Sequence, residues 1–118
     1  MTPIRALGAM SGTSMDGVDA AVLITDGLTI TGFGESAYRA FSDADRAIIA
    51  RAMGQWHEGP DVPAAAAVVE AVHADLLSAF PAEVLGFHGQ TLIHEPDHRR
   101  THQAGDGARL ANLLQMAT

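Results

Sequence analysis

Residues 6–22, ALGAMSGTSMDGVDAAV, constrain this chain more than any other stretch, because an apolar lead breaks into a glycine- and hydroxyl-rich centre and then resumes. Ile4, Ala6, Leu7 and Ala9 enter a turn made of Ser11, Gly12, Thr13, Ser14, Asp16 and Gly17, and apolar residues return at Val18. That order predicts strand, tight turn, strand. Gly12 and Gly17 carry no Cβ, so a bulky anion can approach the backbone closely. Thr13 and Ser14 offer N–H groups and hydroxyls to phosphate oxygens. Asp16 and Asp19 lie beside the turn. Carboxylates next to a phosphate are consistent with a cation such as Mg²⁺ between them, or with one of them facing elsewhere. An ordinary hairpin with Gly and Asp at its turn is the competing reading.

The 118 residues, 47% of them hydrophobic, are enough for one modest core. A net charge of −7 argues against a protein that binds nucleic acid or an anionic membrane through a basic surface, so any phosphate must be held locally. All seven basic residues are Arg. A Walker A site is excluded, since it needs its lysine on the phosphates, and so is Schiff-base chemistry. Without Cys there are no disulfides, thiolate nucleophiles or thiolate metal sites, in keeping with a cytoplasmic chain. Residues 4–10 are too short for the apolar core of a signal peptide and run into a turn, and no apolar run has membrane-spanning length.

Further along, Asp26-Gly27 signals a two-residue hairpin, after which residues 28–38 read as a third strand. The pattern alone gives a β-meander. Ser42 can cap a helix with Asp43 and Asp45 in its first turn, an apolar face of Ile48, Ile49, Ala52 and Met53, and a stop at Gly54. Trp56 and His57 sit in the connector that follows, as a hydrophobic plug or a lid. A second helix starts at Pro63, ends at Pro81 and carries Ala65, Val68, Val69, Val72, Leu76 and Phe80 at helical spacing. His73 and Asp75 fall off that stripe and read as a solvated face.

Residues 84–87 form a short apolar strand that delivers His88, Gln90 and Thr91 at its C-terminal end, where open α/β sheets bind ligands. Alternatively, Gly89 marks a turn and its neighbours satisfy buried backbone. His94, His98 and His102 have the spacing of one helix face, and zinc is a candidate on residue type alone. Pro96, Asp97 and the pair Arg99-Arg100 argue against that helix. Arg99 and Arg100 suit a phosphate, a sugar-acid carboxylate or plain solvation. Asp106 can cap a last helix over residues 107–116, a role that competes with ligand binding.

Three segments carry a family resemblance. Met10-Ser11-Gly12-Thr13-Ser14-Met15-Asp16-Gly17-Val18-Asp19 resembles the opening nucleotide-phosphate loop of the anhydro-N-acetylmuramic acid kinases, in the hexokinase/actin-like ATPase superfamily. Gly86-Phe87-His88-Gly89-Gln90-Thr91 with His94-Glu95-Pro96 resembles the second motif of that family, and Gln103-Ala104-Gly105-Asp106-Gly107-Ala108-Arg109 its third. The motifs follow the family's order at comparable spacing. His102 and Ala104 depart from it, standing where larger aliphatic residues are expected.

The resemblance implies an α/β fold: the N-terminal lobe of a ribonuclease H-like/actin-like ATPase domain, whose mixed sheet opens with three antiparallel strands. Residues 1–118 would be one partial domain, with the C-terminal lobe absent. Gly12, Thr13, Ser14, Met15, Asp16, Gly17, Val18 and Asp19 would hold the ATP phosphates, with Asp16 or Asp19 nearest Mg²⁺ through water. His88, Gln90, Thr91 and Asp106 would face the sugar. The family phosphorylates 1,6-anhydro-N-acetylmuramic acid at its 6-oxygen while water opens the anhydro ring, recycling cell-wall sugar in the cytoplasm. The water-activating base is an aspartate expected beyond Thr118, so this chain alone is expected to be inactive. The apolar stripe over residues 110–117, which reaches Thr118 without a cap or glycine stop, reads the same way. A homodimer is an expectation for the full-length protein. A non-catalytic nucleotide- or sugar-binding remnant is the alternative from another class.

Overall fold

The structure, a computed structural model, describes residues 2–116. Strands β1 (Ile4–Ser11) and β2 (Gly17–Thr25) flank the glycine-rich turn and pair antiparallel, from Ile4 opposite Thr25 to Met10 opposite Asp19. β3 (Ile30–Ala40) returns antiparallel to β2. The turn between them is held by Asp26, whose Oδ1 accepts the N–H groups of Leu28 and Thr29 at 2.9 and 2.8 Å. Those bonds favour the ionised carboxylate and lower its pKa.

Helix α1 (Asp43–Ala52) begins where Ser42 Oγ accepts the N–H of Asp45 at 3.1 Å, and α2 (Val62–Leu77) has Pro63 in its first turn. The chain then enters β4 (Val84–Glu95), which runs parallel to β1. It returns through a 3₁₀ turn (Pro96–His98) as the antiparallel strand β5 (Arg100–Ala104) and ends in α3 (Gly107–Leu114). The result is an α/β unit with a mixed five-stranded sheet in the order β3-β2-β1-β4-β5. Among the described residues no helix is long and apolar enough to cross a membrane.

Alternation along the strands sets the core. Leu7, Ala9 and Ser11 of β1 and Val18, Ala20 and Val22 of β2 are buried with Leu85, Ile49, Val69, Leu77 and Leu110. The intervening residues point to the other side of the sheet.

β4 is longer than residues 84–87, so His88, Gln90 and Thr91 lie within the strand and not beyond its end. Gly89 makes this extension workable. Its φ is +83°, and a Cβ there would stand 2.5 Å from the carbonyl oxygen of Ala104. At this bulge the pairing with β1 slips from Ala9 opposite Phe87 to Ser11 opposite Gln90. β5, a polar run, carries no alternation that reveals it in the sequence.

His73 is buried, contrary to the solvated face expected of it. Helix α2 packs on the sheet between α1 and α3, and its buried arc therefore widens to include Ala66, Glu70, His73 and Leu77. The His73 ring meets Phe87 edge-on at 4.9 Å. Asp75 is exposed and pairs with Arg39 of β3.

Trp56 is a plug: it packs on the core, stacks on His102 at 5.8 Å and lies under the Arg100 guanidinium at 4.9 Å. His94, His98 and His102 fall on β4, the 3₁₀ turn and β5, so no helix aligns them. Among the described residues no three metal-binding side chains converge. The last helix stops at Leu114 with Gln115 as a left-handed cap (φ 53°), its N–H bonded to the Ala111 carbonyl. The stripe thus has a stop that is not glycine, while Ala117 and Thr118 lie outside the described residues.

Candidate functional site

The turn between β1 and β2 closes by a bond from the Met15 N–H to the Gly12 carbonyl at 3.1 Å. Met15 is left-handed (φ 57°), a conformation that costs an L-residue with a Cβ about 1–2 kcal/mol. Three contacts hold it there. Arg46 Nε donates to the Met15 carbonyl at 3.2 Å, the next residue's carbonyl accepts the Phe41 N–H at 3.0 Å, and the Met15 side chain packs on the core.

Thr13 and Ser14, at the tip of this clamped turn, are exposed, and among the described residues neither N–H has an acceptor. A Cβ on Gly12 would meet only the Met10 methyl, at 3.8 Å, so the approach is open. Gly17 has a different reason. A Cβ there would lie 2.2 Å from the Arg39 carbonyl oxygen, so this glycine serves the close approach of β3 and not that of an anion.

The second motif locks the first. Gln90 is fully buried; its Oε1 accepts the Ser11 hydroxyl, and its Nε2 donates to the carbonyls of Gly12 at 2.6 Å and Thr91 at 3.0 Å. Its amide is thus engaged in shaping the turn. Thr91 is also buried. His88 emerges on the opposite face of the sheet. Its Nδ1 lies 3.2 Å from the Gly89 carbonyl oxygen, the arrangement of an Nδ1–H donor, and among the described residues Nε2 has no partner. Asp19 shares that open face, and both line the same trough.

Asp106 stands apart from both groups, as the cap of α3. Its Oδ1 accepts the N–H groups of Ala108 and Arg109 at 2.9 and 3.2 Å. Its own N–H donates to Glu70 Oε2 at 2.9 Å, and Arg109 grips the same carboxylate with Nε and Nη2, each at 2.9 Å. The pairing raises the Arg109 pKa further. Sequence reasoning missed Glu70 and Arg46. For Glu70 a signal existed, since Ala66, Glu70, His73 and Leu77 share one helix face. For Arg46 there was none.

The expected site residues therefore form three groups: the turn with Gln90, the outward pair Asp19 and His88, and the Asp106 cap anchored by Glu70. Asp16 and Asp19 are exposed on either side of Gly17 and Val18. Among the described residues no third carboxylate or imidazole groups with them.

Known proteins match nearly all of the chain. The profile of the family described as anhydro-N-acetylmuramic acid kinase matches residues 4–118. A protein of that name from Cereibacter sphaeroides is 61% identical over 112 residues, covering 94% of this chain and 30% of the relative. One from Roseobacter denitrificans is 59% identical over 113 residues, with 95% and 30% covered. A third, from Acidiphilium cryptum, is 44% identical over 119 residues, with 96% and 33% covered. The chain thus spans about a third of the length of the relatives it matches. It belongs to the anhydro-N-acetylmuramic acid kinase family and corresponds to the N-terminal portion of its members.

Proposed function

We infer that residues 1–118 are the N-terminal lobe of a two-lobed, actin-like ATPase-type sugar kinase, and that the turn from Gly12 to Asp16 receives the phosphate tail of ATP. The observation that supports this reading is the pair of exposed N–H groups of Thr13 and Ser14, without acceptors among the described residues, on a turn that hydrogen bonds from Gln90, Arg46 and Phe41 hold in place. Preorganised donors of this kind stabilise transferring phosphoryl groups without covalent chemistry. Mg²⁺, when bound, would neutralise phosphate charge, with the carboxylates of Asp16 and Asp19 holding its water shell. His88, on the face shared with Asp19, would meet the sugar. Gln90 and Asp106 would act through the backbone they fix.

The reaction proposed for the full-length protein is ATP-dependent phosphorylation of 1,6-anhydro-N-acetylmuramic acid with hydrolytic opening of the anhydro ring. Calorimetric titration of the chain with ATP·Mg²⁺ and with the anhydro-sugar tests the lobe assignment. Nucleotide binding supports it, whereas sugar binding alone favours a sugar-binding module. An ADP-release assay tests whether the lobe is incomplete: turnover by this chain comparable to that of the Cereibacter sphaeroides relative would overturn the proposal that the base lies elsewhere.

A further inference from the structure

The turn from Gly12 to Asp16 has an adverse charge balance for an anion. Asp16 and Asp19 are both exposed beside it, and a phosphate tail adds further negative charge. Backbone N–H groups supply direction and partial charge only, so a cationic side chain is needed besides any metal ion. The chain has no Lys, which leaves its seven arginines.

Four of them are matched elsewhere. Arg5 pairs with Glu35, Arg39 with Asp75, Arg100 with Glu95 and Arg109 with Glu70. Arg51 lies in the last turn of α1 and Arg99 at the end of the 3₁₀ turn, and among the described residues neither side chain bonds to the phosphate turn. Arg46 does. Its Nε donates to the Met15 carbonyl at 3.2 Å, which holds the guanidinium against the residue that follows Ser14. Among the described residues the one carboxylate within ion-pair reach is that of Asp43, 3.9 Å from Nη1, and its side chain is wholly exposed, so water screens the contact. Nη2 has no partner among the described residues, and the Arg46 side chain is 42% exposed.

A guanidinium presents five N–H donors in one plane, a geometry matched to phosphate oxygens. One donor of Arg46 fixes the backbone, and those of the Nη groups remain for a ligand. The anchor at Nε also restricts the side chain before a ligand arrives, which lowers the entropy cost of binding one.

We propose that Arg46 is a phosphate ligand of the Gly12–Asp16 turn: Nε holds the Met15 carbonyl, and the Nη groups take an oxygen of the phosphate that the Thr13 and Ser14 amides receive. This rests on the phosphate reading of the turn and adds the side chain that supplies positive charge there.

Glutamine separates the two roles. Its side-chain nitrogen is bonded to Cδ, as Nε of arginine is, so Arg46→Gln keeps an N–H donor for the Met15 carbonyl while removing the charge and the Nη groups. Arg46→Lys keeps a charge without the planar fork. Arg51→Gln removes one positive charge elsewhere on the same helix. The ¹⁵N-labelled chain and these variants are titrated with Mg²⁺-tripolyphosphate and followed at the Thr13 and Ser14 amides and at the Arg46 Nε–H, whose signal is identified by its loss in Arg46→Gln. In the unmodified chain that side-chain signal shifts in step with the amides. Arg46→Gln weakens binding by at least about ten-fold, the loss of one charge-assisted hydrogen bond. Its melting midpoint stays within a degree or two of the unmodified chain. Arg46→Lys falls between the two, and Arg51→Gln changes the affinity by less than about two-fold because solvent screens a charge at that distance.

Unchanged affinity in Arg46→Gln, or an Arg46 signal that stays still while the amides shift, would overturn the proposal and leave the phosphate reading standing. Equal losses in Arg46→Gln and Arg46→Lys would also overturn it, because the defect would then lie in the shape of the turn. Should Arg46→Gln unfold the turn, the side-chain signal of the unmodified chain decides alone. Absence of binding by the unmodified chain would sink the phosphate reading itself and this inference with it.

Discussion

Gln90 Nε2 donates to the carbonyl oxygen of Gly12 at 2.6 Å, across 78 residues of sequence, and so ties the second motif of the chain to the first. The bulge at Gly89 brings the amide to that position, and the Ser11 hydroxyl fixes it from the other side. Gln90→Leu leaves the Ser11 hydroxyl and the Gly12 carbonyl without their partners. Each buried polar group so stranded costs about 1–3 kcal/mol. A fall in the urea midpoint with an unchanged slope is the expected result. Gln90→Glu is expected to be equally damaging, since a carboxylate would replace the amide that donates to two carbonyls.

Gly17→Ala is expected to destabilise by several times the cost of an ordinary surface change, on the order of 1–3 kcal/mol, because the added methyl would meet the Arg39 backbone at 2.2 Å. Chemical denaturation checks the stability. Hydrogen exchange in β3 tells where the strain goes, with faster exchange expected at Tyr38, Arg39 and Ala40.

Glu70→Ala removes the acceptor of the Asp106 N–H and both contacts to Arg109. The Arg109 side chain is 64% exposed, so solvent screens most of the ionic part. The loss comes mainly from the Asp106 N–H and is expected to be about 1–2 kcal/mol in denaturant unfolding. Arg109→Ala, which leaves that N–H satisfied, is expected to cost less.

His73 predicts a pH dependence. Burial holds its pKa below the ordinary imidazole value of 6.5, opposed in part by the bond to the Val69 carbonyl. The unfolded chain therefore binds a proton here more readily than the folded one. The contribution is fully present above about pH 6.5 and is lost as pH falls through that value toward the lower folded pKa. The carboxylates of Glu35 and Glu95 are held below 4.5 by Arg5 and Arg100, and their contributions are lost in a separate, more acidic window. Unfolding measured between pH 7.5 and 5.5 should show decreasing stability, and His73→Phe should flatten that slope. At pH 7.5 this variant should be neutral or slightly stabilising, because Nε2 of His73 is buried and has no partner among the described residues.

Much of this fold was legible in the chain because local chemistry decides it. Residues 6–22 predict strand, turn and strand, Asp26 and Gly27 predict the next hairpin, and Ser42, Pro63 and Asp106 mark three helix starts. Longer-range relations were not legible. The burial of His73 depends on α1 and α3 flanking α2, which no periodicity within α2 encodes. The length of β4 depends on one left-handed glycine meeting Ala104, and β5 is stabilised by pairing with β4, not by an apolar pattern of its own. The first motif predicts a turn where the structure has one, yet only the pairing of β1 with β4 reveals that Gln90 shapes the backbone while Asp19 and His88 face outward.

The central claim is that the Thr13 and Ser14 amides receive phosphate. Amide NMR shifts of the ¹⁵N-labelled chain, followed during titration with ATP·Mg²⁺, test it most directly. Saturable shifts at Thr13, Ser14 and Met15, reproduced by Mg²⁺-tripolyphosphate and absent with adenosine, are the predicted result. Shifts that spare these three residues, or none at millimolar nucleotide, would contradict it.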